Sequence, residues 1–432
     1  MVSIRRDHPV SILTYPEIIK KIEDLELMPE TPPSLDRIKE GLKKILTSSS
    51  FQPHQTIVVA GTNGKGSVCV FLEALFLSMG ESVGLFSSPH LEETTERIRI
   101  NGKDIEKNLF CKAYEIVNKK TKDLKLSHFE ILTLIAAWVF YSKESDLITQ
   151  RFIFEVGLGG TWDATNAIPH QNCVITSLDY DHQNLLGHTL KEIALSKFGI
   201  IGPQSIVVHS PLPKEVQSVA QEVQISTKSY WRQSAPFSLK VIDSKSEPQF
   251  ILQTEWGKTK LGLPGLRSAQ NATTALTLFH ELGYQPEKHI KSLSQIRWPG
   301  RMERILHPNC LCPLYFSGDH NPGGIKSLLE LLPYYPRNHL YILLGIGKDK
   351  DQNGILAPLF KLPDTSIFLT ETPFRGRSLN QYGSWLDHAS GAFLDPLKAL
   401  KTIMELAKPC DLILITGSLY LVGFLRKNLK KL

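Results

Sequence analysis

The segment Thr56-Ile57-Val58-Val59-Ala60-Gly61-Thr62-Asn63-Gly64-Lys65-Gly66-Ser67 constrains this chain more than any other. An apolar β-branched run enters a glycine-rich turn. The turn opens a helix whose apolar residues Val68, Phe71, Leu72, Leu75, Phe76 and Met79 recur at helical spacing, with Gly80 as its stop. Strand, glycine turn and helix in that order are the context of a phosphate loop. Glycines let successive N–H groups converge on phosphate oxygens. The helix N-terminus adds partial positive charge, and Lys65 adds a full one. The loop departs from the standard Walker pattern, because Val59 stands where its first glycine falls and Gly66 separates Lys65 from Ser67. An ordinary strand-to-helix turn is the alternative; the lysine and the preceding strand favour nucleotide binding.

Further β-branched runs at 82–86, 152–156, 173–176, 205–208, 340–344, 366–370 and 412–416 alternate with helical patterns. Continuous apolar strands separated by helices predict a mostly parallel sheet covered on both faces. The stretch 231–259 is short-period and polar, and predicts an antiparallel excursion. The expected fold class is α/β. It comprises an N-terminal P-loop mononucleotide-binding domain, mostly parallel with a small antiparallel portion, and a C-terminal Rossmann-like α/β domain. A length of 432 residues suits two domains, and the Pro-Gly break in Ile296-Arg297-Trp298-Pro299-Gly300 divides them into 1–297 and 298–432.

Composition narrows the function. The net charge of +6 is dispersed, with no basic stripe interleaved with aromatics, so a nucleic-acid partner is not expected. A mild basic excess suits small anionic substrates. Of the six cysteines only Cys310-Leu311-Cys312 is a close pair, without the partner cluster of a zinc site, and reduced thiols are expected. Arg5-Arg6 is not followed by a signal-peptide core, and the longest apolar run, 134–141, is too short to span a bilayer. A soluble cytoplasmic protein without a membrane partner is the expectation.

Three further positions carry chemistry. Glu155 closes an apolar strand ahead of Gly157-Leu158-Gly159-Gly160, where a buried carboxylate needs a partner. Asp181-His182 follows the strand at 173–176, and Lys197 sits in the next helix. Alone, each has a bland reading: a capping carboxylate, a hydrogen-bonded histidine, a solvated lysine. As an ordered set with the glycine loop they point to triphosphate chemistry, for which Mg²⁺ with oxygen ligands is the usual partner.

In this order the motifs resemble the folylpolyglutamate synthase/dihydrofolate synthase family of the Mur ligase superfamily, over nearly the whole chain. The resemblance is carried by Gly61 to Ser67, Ser87-Ser88-Pro89-His90-Leu91, Glu96-Arg97-Ile98-Arg99-Ile100-Asn101-Gly102, Phe129-Glu130, Glu155 to Gly160, Asp163-Ala164-Thr165-Asn166 and Asp181-His182. Leu186-Gly187, Trp298-Pro299-Gly300-Arg301, His320-Asn321-Pro322, Lys350-Asp351 and Thr416-Gly417-Ser418 continue it. It implies an ATP-dependent ligase in folate biosynthesis and one-carbon metabolism. Such an enzyme adds L-glutamate to dihydropteroate and to reduced folates through an acyl phosphate. It implies catalytic roles for Lys65, Lys197 (carbamylated) and His320. It implies ATP contacts from Gly61, Thr62, Asn63, Gly64, Lys65, Gly66, Ser67, Asn271, Arg301 and Ser317, and Mg²⁺ ligation by Ser88, Glu155 and His182. The pterin site falls at Phe129, Glu130, Asp163 and Ala164, and the family favours a monomer.

Several positions depart from the family pattern. Ser317-Gly318-Asp319-His320-Asn321 replaces Asp-Gly-Ala-His-Asn, and Arg267-Ser268 replaces His-Gln ahead of Asn271. Phe198 and Gly202 replace an alanine and a basic residue beyond Lys197, and Thr161-Trp162 replaces Arg-Leu. A single-activity synthase, a peptidoglycan-precursor Mur ligase, a nucleotide-binding protein without ligation, and a kinase are the competing readings. The signatures at 87–102 and the short stretch before the phosphate loop disfavour the second, and Glu155, His182 and Lys197 have no role in the last.

Overall fold

The structure, a computed structural model, describes residues 13–26, 33–242 and 247–432. Arg5-Arg6 lies outside the described residues, as does 243–246 within the expected antiparallel excursion.

The apolar runs become strands β1 (Thr56–Ala60), β2 (Val83–Phe86), β3 (Ile98–Ile100), β4 (Lys103–Asp104), β5 (Arg151–Glu155), β6 (Asn172–Ile175), β7 (Ile206–His209) and β8 (Tyr230–Gln233). They form one sheet in the order β4-β3-β2-β5-β1-β6-β7-β8, parallel except for β3 and β4. Strand β1 lies between β5 and β6, with Val58 opposite Phe154 on one side and Cys173 on the other. Being buried on both faces, it can be apolar at every position. Ile57 and Val59 point into one core and Val58 and Ala60 into the other, the period of two that a strand imposes.

The first core holds the helix Lys65–Ser78 against the helix Leu266–Glu281. Gly80, at φ +83°, follows the end of the first helix, a backbone geometry that glycine adopts without steric cost. The second core packs the helices Lys107–Lys120, His128–Tyr141 and Leu190–Phe198 under the opposite face.

Strands β9 (Phe237–Ile242), β10 (Gln249–Thr254) and β11 (Gly257–Lys260) form a separate antiparallel sheet. The expected excursion therefore begins later than 231. Tyr230–Gln233 is instead a parallel edge strand beside β7, and its exposure on the sheet rim explains its polar character. The last sheet comprises β12 (Glu303–Ile305), β13 (Leu314–Phe316), β14 (Leu340–Leu344), β15 (Thr365–Thr370), β16 (Gly391–Phe393) and β17 (Leu412–Thr416). Its order is β12-β13-β17-β14-β15-β16, antiparallel only at β12, as a Rossmann-like sheet requires. No sheet crosses the 297/298 division, yet apolar packing does: Phe250, Leu276, Ile325 and Leu340 share one core. Among the described residues no helix is long and apolar enough to cross a membrane.

Phe279 is fully buried, with ring centroids 5.5 Å from Phe76 and 4.9 Å from Tyr284. Phe279→Ala is expected to cost about 3–5 kcal/mol. Ile148→Ala, at a site 84% exposed, should stay within about 0.5 kcal/mol. Paired thermal melts check both.

Candidate active site

The site forms where β1, β2, β5 and β6 end. Gly61 has φ +145°, and a Cβ there would run into the Thr176 side chain. Gly64 has φ +90°, and a Cβ there would lie 2.5 Å from Asn271 Oδ1, so Asn271 of the helix Leu266–Glu281 rests directly on the loop. The loop is laced to the residues after β6. Thr62 N donates to Ser177 O at 2.7 Å, Thr62 Oγ1 to Asp179 O at 3.0 Å, and Ser177 Oγ to Asn63 O at 3.1 Å.

Two ammonium groups meet over this loop. Lys65 Nζ donates to Gly61 O at 3.1 Å and Thr62 O at 3.3 Å, and Lys197 Nζ donates to Gly61 O at 3.0 Å. Lys197 is buried. Loss of solvation, with the Lys65 charge beside it, brings its ammonium down to about 7. That leaves a substantial fraction of nucleophilic free amine at neutral pH.

Glu155 ends β5 inside the protein. Burial pushes its carboxyl up, opposed by Lys65. Its Oε2 accepts Ser88 N at 3.1 Å. A Cβ on Gly66 would stand 3.3 Å from Glu155 Oε2 and 3.5 Å from Trp298 Nε1, so the glycine that interrupts the Walker pattern makes room for this carboxylate. The structure thus joins Ser88 to Glu155.

His182 makes its own contacts elsewhere. Its Nε2 lies 3.4 Å from Lys350 Nζ, and its Nδ1 lies 3.9 Å from Asp349. Burial and the Lys350 charge hold its imidazole down to about 4, so it is neutral and keeps a lone pair. Among the described residues no three His, Cys, Asp or Glu side chains form a ready-made metal cage. The Ser88 and Glu155 oxygens suit Mg²⁺, which leaves most of its sites to water and phosphate oxygen, whereas the His182 nitrogen is an unusual ligand for it and is engaged with Lys350 and Asp349. The buried Glu155 carboxylate, with Ser88 N its one hydrogen-bond donor among the described residues, has the hard anionic oxygens such a site would need.

The C-terminal sheet faces this loop with polar ends. Asn321 caps the helix Pro322–Leu331, accepting Gly324 N at 2.7 Å. Its Nδ2 reaches Asn63 Oδ1 at 3.0 Å and Asp181 Oδ2 at 2.9 Å. Lys350 Nζ donates to Asp181 Oδ1 at 2.9 Å. Burial alone would raise the Asp181 carboxyl, but Lys350 and His182 outweigh it and hold it well below the ordinary range. His320 is half-buried. Its Nδ1–H donates to Gly318 O at 2.8 Å, and burial together with Lys350 keeps it neutral. The Arg301 charge is felt by both Glu155 and His320. Ser317 Oγ donates to Asp319 Oδ2 at 2.7 Å, and Arg267 pairs with Asp319 Oδ1 at 3.4 Å while donating to Gly323 O.

The residues expected at the pterin site partly converge. A Cβ on Gly157 would be 2.7 Å from the Phe129 ring, and Gly157 N donates to Asp163 Oδ2 at 3.0 Å. Asp163 also accepts from Leu158 N, Thr165 N and Thr165 Oγ1, and Ala164 is buried beside it. Glu130 is engaged differently: it accepts Ser127 N at 2.8 Å in the helix cap and pairs with Arg37 at 3.4 Å. Asn321 and Lys350 were not given site roles, and Asp181 was singled out only with His182 as a chemical position, without a role of its own. Their signal was membership of the His320-Asn321-Pro322, Asp181-His182 and Lys350-Asp351 motifs.

A phosphate loop on a parallel sheet, faced by a second α/β sheet whose polar ends reach into it, defines an ATP-dependent carboxylate–amine ligase of the Mur type. Residues 300–419 match the family model described as Mur ligase, glutamate ligase domain. The chain belongs to the dihydrofolate synthase/folylpolyglutamate synthase family. It is 32% identical over 398 residues to the dihydrofolate synthase/folylpolyglutamate synthase of Buchnera aphidicola subsp. Baizongia pistaciae, covering 89% of this chain and 88% of the relative. The Escherichia coli FolC structure in complex with DHPP and ADP superimposes with a TM-score of 0.82 at 25% identity, over 98% of this chain and 99% of that one. A bifunctional folylpolyglutamate synthase/dihydrofolate synthase with Mn, AMPPNP and L-glutamate bound gives a TM-score of 0.83 at 27% identity, over 98% of this chain and all of that one, 100%.

Lys197 binds fewer protons folded than unfolded between about 7 and the usual lysine value of 10.5. Stability from this group therefore rises with pH through that window, and the full burden of a buried cation is felt below it. Lys197→Met is expected to raise the melting temperature more at pH 6 than at pH 9.5 in bicarbonate-free buffer. Equal shifts at both pH values would contradict the burial of a charged amine.

Proposed function

We propose that this chain joins L-glutamate to the carboxylate of dihydropteroate, making dihydrofolate, and extends reduced folates by γ-glutamyl addition, consuming ATP and releasing ADP and phosphate. The observation that carries the reading is the convergence of Lys65 and Lys197 on Gly61 O beside the buried Glu155, in a chain of this family.

A carboxylate and an amine do not condense in water unaided. A carboxylate oxygen attacks the γ-phosphorus, the bond to the β–γ bridging oxygen breaks, and ADP leaves with the electron pair. The glutamate amine then attacks the acyl carbon, loses a proton, and expels phosphate. Both steps gather negative charge on oxygen, which Lys65 and Arg301 are placed to stabilise. The loop amides of Gly61 to Ser67 hold the phosphates, with Asn271, Arg301 and Ser317 completing the nucleotide site. Ser88, Glu155 and His182 would hold Mg²⁺, which when bound supplies charge neutralisation for the phosphates. Lys197, as its carbamate, orients that region, and His320 positions phosphate or ribose. Phe129, Glu130, Asp163 and Ala164 shape the pterin site. The work divides between an ATP-binding domain, 1–297, and a glutamate ligase domain, 298–432, whose approach excludes water that would hydrolyse the acyl phosphate. A cytoplasmic, monomeric enzyme suits these substrates.

The test is phosphate release with ATP, Mg²⁺, L-glutamate and either dihydropteroate or a reduced folate, with mass detection of products. Glutamate-dependent release and a product one glutamate heavier are expected with both acceptors. ATP binding with no such product from either would remove the reading. Lys65→Ala should lower turnover by about 100-fold or more. Lys197→Ala should be slow and partly restored by acetate; full activity without acetate would exclude the carbamate.

A further inference from the structure

Arg97 is only 8% exposed, in the short turn Thr94–Arg97 that leads into β3. Its carbonyl accepts Ser87 N at 2.9 Å, which sets it at the end of β2 beside Ser88. Its Nε donates to His90 Nδ1 at 2.8 Å. Its Nη1 and Nη2 make no hydrogen bond or ion pair among the described residues. Several other buried or half-buried arginines are ion-paired, Arg99 with Glu73 at 3.4 Å, Arg151 with Glu81 at 2.5 Å, and Arg426 with Glu303 at 3.1 Å, while the side chain of half-buried Arg301 of the site has no partner among the described residues either.

The nearby acids do not close its fork: among the described residues neither Glu96 nor Glu155 forms an ion pair with it, and both act on it through charge alone. Glu96 gives its carboxylate to the N–H groups of Leu91, Glu92 and Glu93, at 2.8, 2.9 and 2.7 Å. Glu155 accepts from Ser88. His90 cannot supply an anion. Its Nδ1 is a neutral acceptor for the Arg97 N–H, so it aims the guanidinium without neutralising it. A buried cation whose fork is open is costly unless an anion arrives. Planar paired N–H donors match a carboxylate.

The sheet order places the end of β2 two strands from the phosphate loop on β1, with Glu155 of β5 between them. Phe86, the last residue of β2, has its ring centroid 5.6 Å from that of Phe129, and the Arg97 charge is felt by His128, the first residue of the helix that carries Phe129. Tyr420 of the C-terminal sheet's last helix approaches it as well. Arg97 therefore stands between the phosphate end of the cleft and its aromatic wall. We propose that the Arg97 guanidinium, aimed by His90, binds the carboxylate of the acceptor substrate and presents its oxygen to the phosphoryl group. This rests on the ligase reading above.

The test compares dihydropteroate with an analogue bearing hydrogen in place of the carboxylate. Binding is measured by titration calorimetry with AMPPNP and Mg²⁺ on wild type, Arg97→Met and Arg97→Lys. Wild type should prefer the carboxylate by about 10- to 100-fold, the range of a charged hydrogen bond. Arg97→Met should bind both ligands within about 2-fold of each other, and Arg97→Lys should fall between. Because the methionine removes an unpaired buried charge, Arg97→Met should melt no lower than wild type. A carboxylate preference that survives in Arg97→Met overturns the assignment. So does a steady-state defect confined to KM for glutamate, which would give the fork to the amino acid. A wild type that neither binds dihydropteroate nor turns over with glutamate overturns the ligase reading, and this assignment with it.

Discussion

Two buried or half-buried ammonium groups share one carbonyl oxygen, Gly61 O, and much of the site depends on that arrangement. Like charges held this close, away from water, repel one another unless one loses its proton or an anion joins them. Both remedies are built in. Burial brings Lys197 to the edge of deprotonation, while Lys65 is only half-buried at the glycine loop, where an anion can reach it. The carbonyl is aimed by backbone alone, since Gly61 adopts φ +145° and any side chain there would meet Thr176. The hydrogen bonds from Thr62 and Asn63 to Ser177 and Asp179 keep that backbone in place.

The same loop is gripped from the opposite side. Asn321 donates to both Asn63 and Asp181, and Lys350 donates to Asp181, so four separate segments meet through charged or amide hydrogen bonds. Such bonds contribute about 1.5–3 kcal/mol each when one partner is charged, and they polarise one another in a network. A second grip lies at the rim, where Arg426 pairs with Glu303 and with Glu92, and Lys427 reaches Glu93 at 3.2 Å. The closed approach of the two sheets is thus stabilised by polar ends as well as by the apolar core. Residues that touch the phosphate loop and residues that hold the C-terminal sheet against it are in part the same.

Much of this was legible in the sequence because the signals were long or chemically unusual. The parallel strands around β1 are continuous apolar runs, and their expected bounds differ from the observed ones by one residue at most. Strand β13 escaped notice since only Leu314–Phe316 lie between Pro313 and Ser317, too few residues for a pattern. Strand β8 looked like part of the antiparallel sheet because an edge strand need not be apolar. At the site, Lys65, Glu155 and Ser88 could be grouped from motif order, and Ser88 does meet Glu155. The partners of His182 could not be read that way. Lys350 lies 168 residues further along the chain, and only the tertiary fold brings it to the imidazole. Glu130 shows a different limit: a carboxylate three residues into a helix after serine is also a capping-box residue, and here it does cap.

The departures at 267 and 317 are one change seen at two places. Ser317, where the family resemblance leads one to expect an acid, gives its hydroxyl to Asp319, so the carboxylate has moved two residues along the chain. An unpaired acid there would join Asp179 near the glycine loop and leave two carboxylates without a counter-charge. Arg267 removes that penalty. It pairs with Asp319, donates to Gly323 O, and its charge is also felt from Asp179 and Glu330. Gly323 in turn lies against Asp179 and Asn63, where a side chain would not fit, so the arginine is tied to the backbone that borders the loop. A relocated acid without the arginine, or the arginine without the acid, would leave a half-buried charge uncompensated beside the nucleotide.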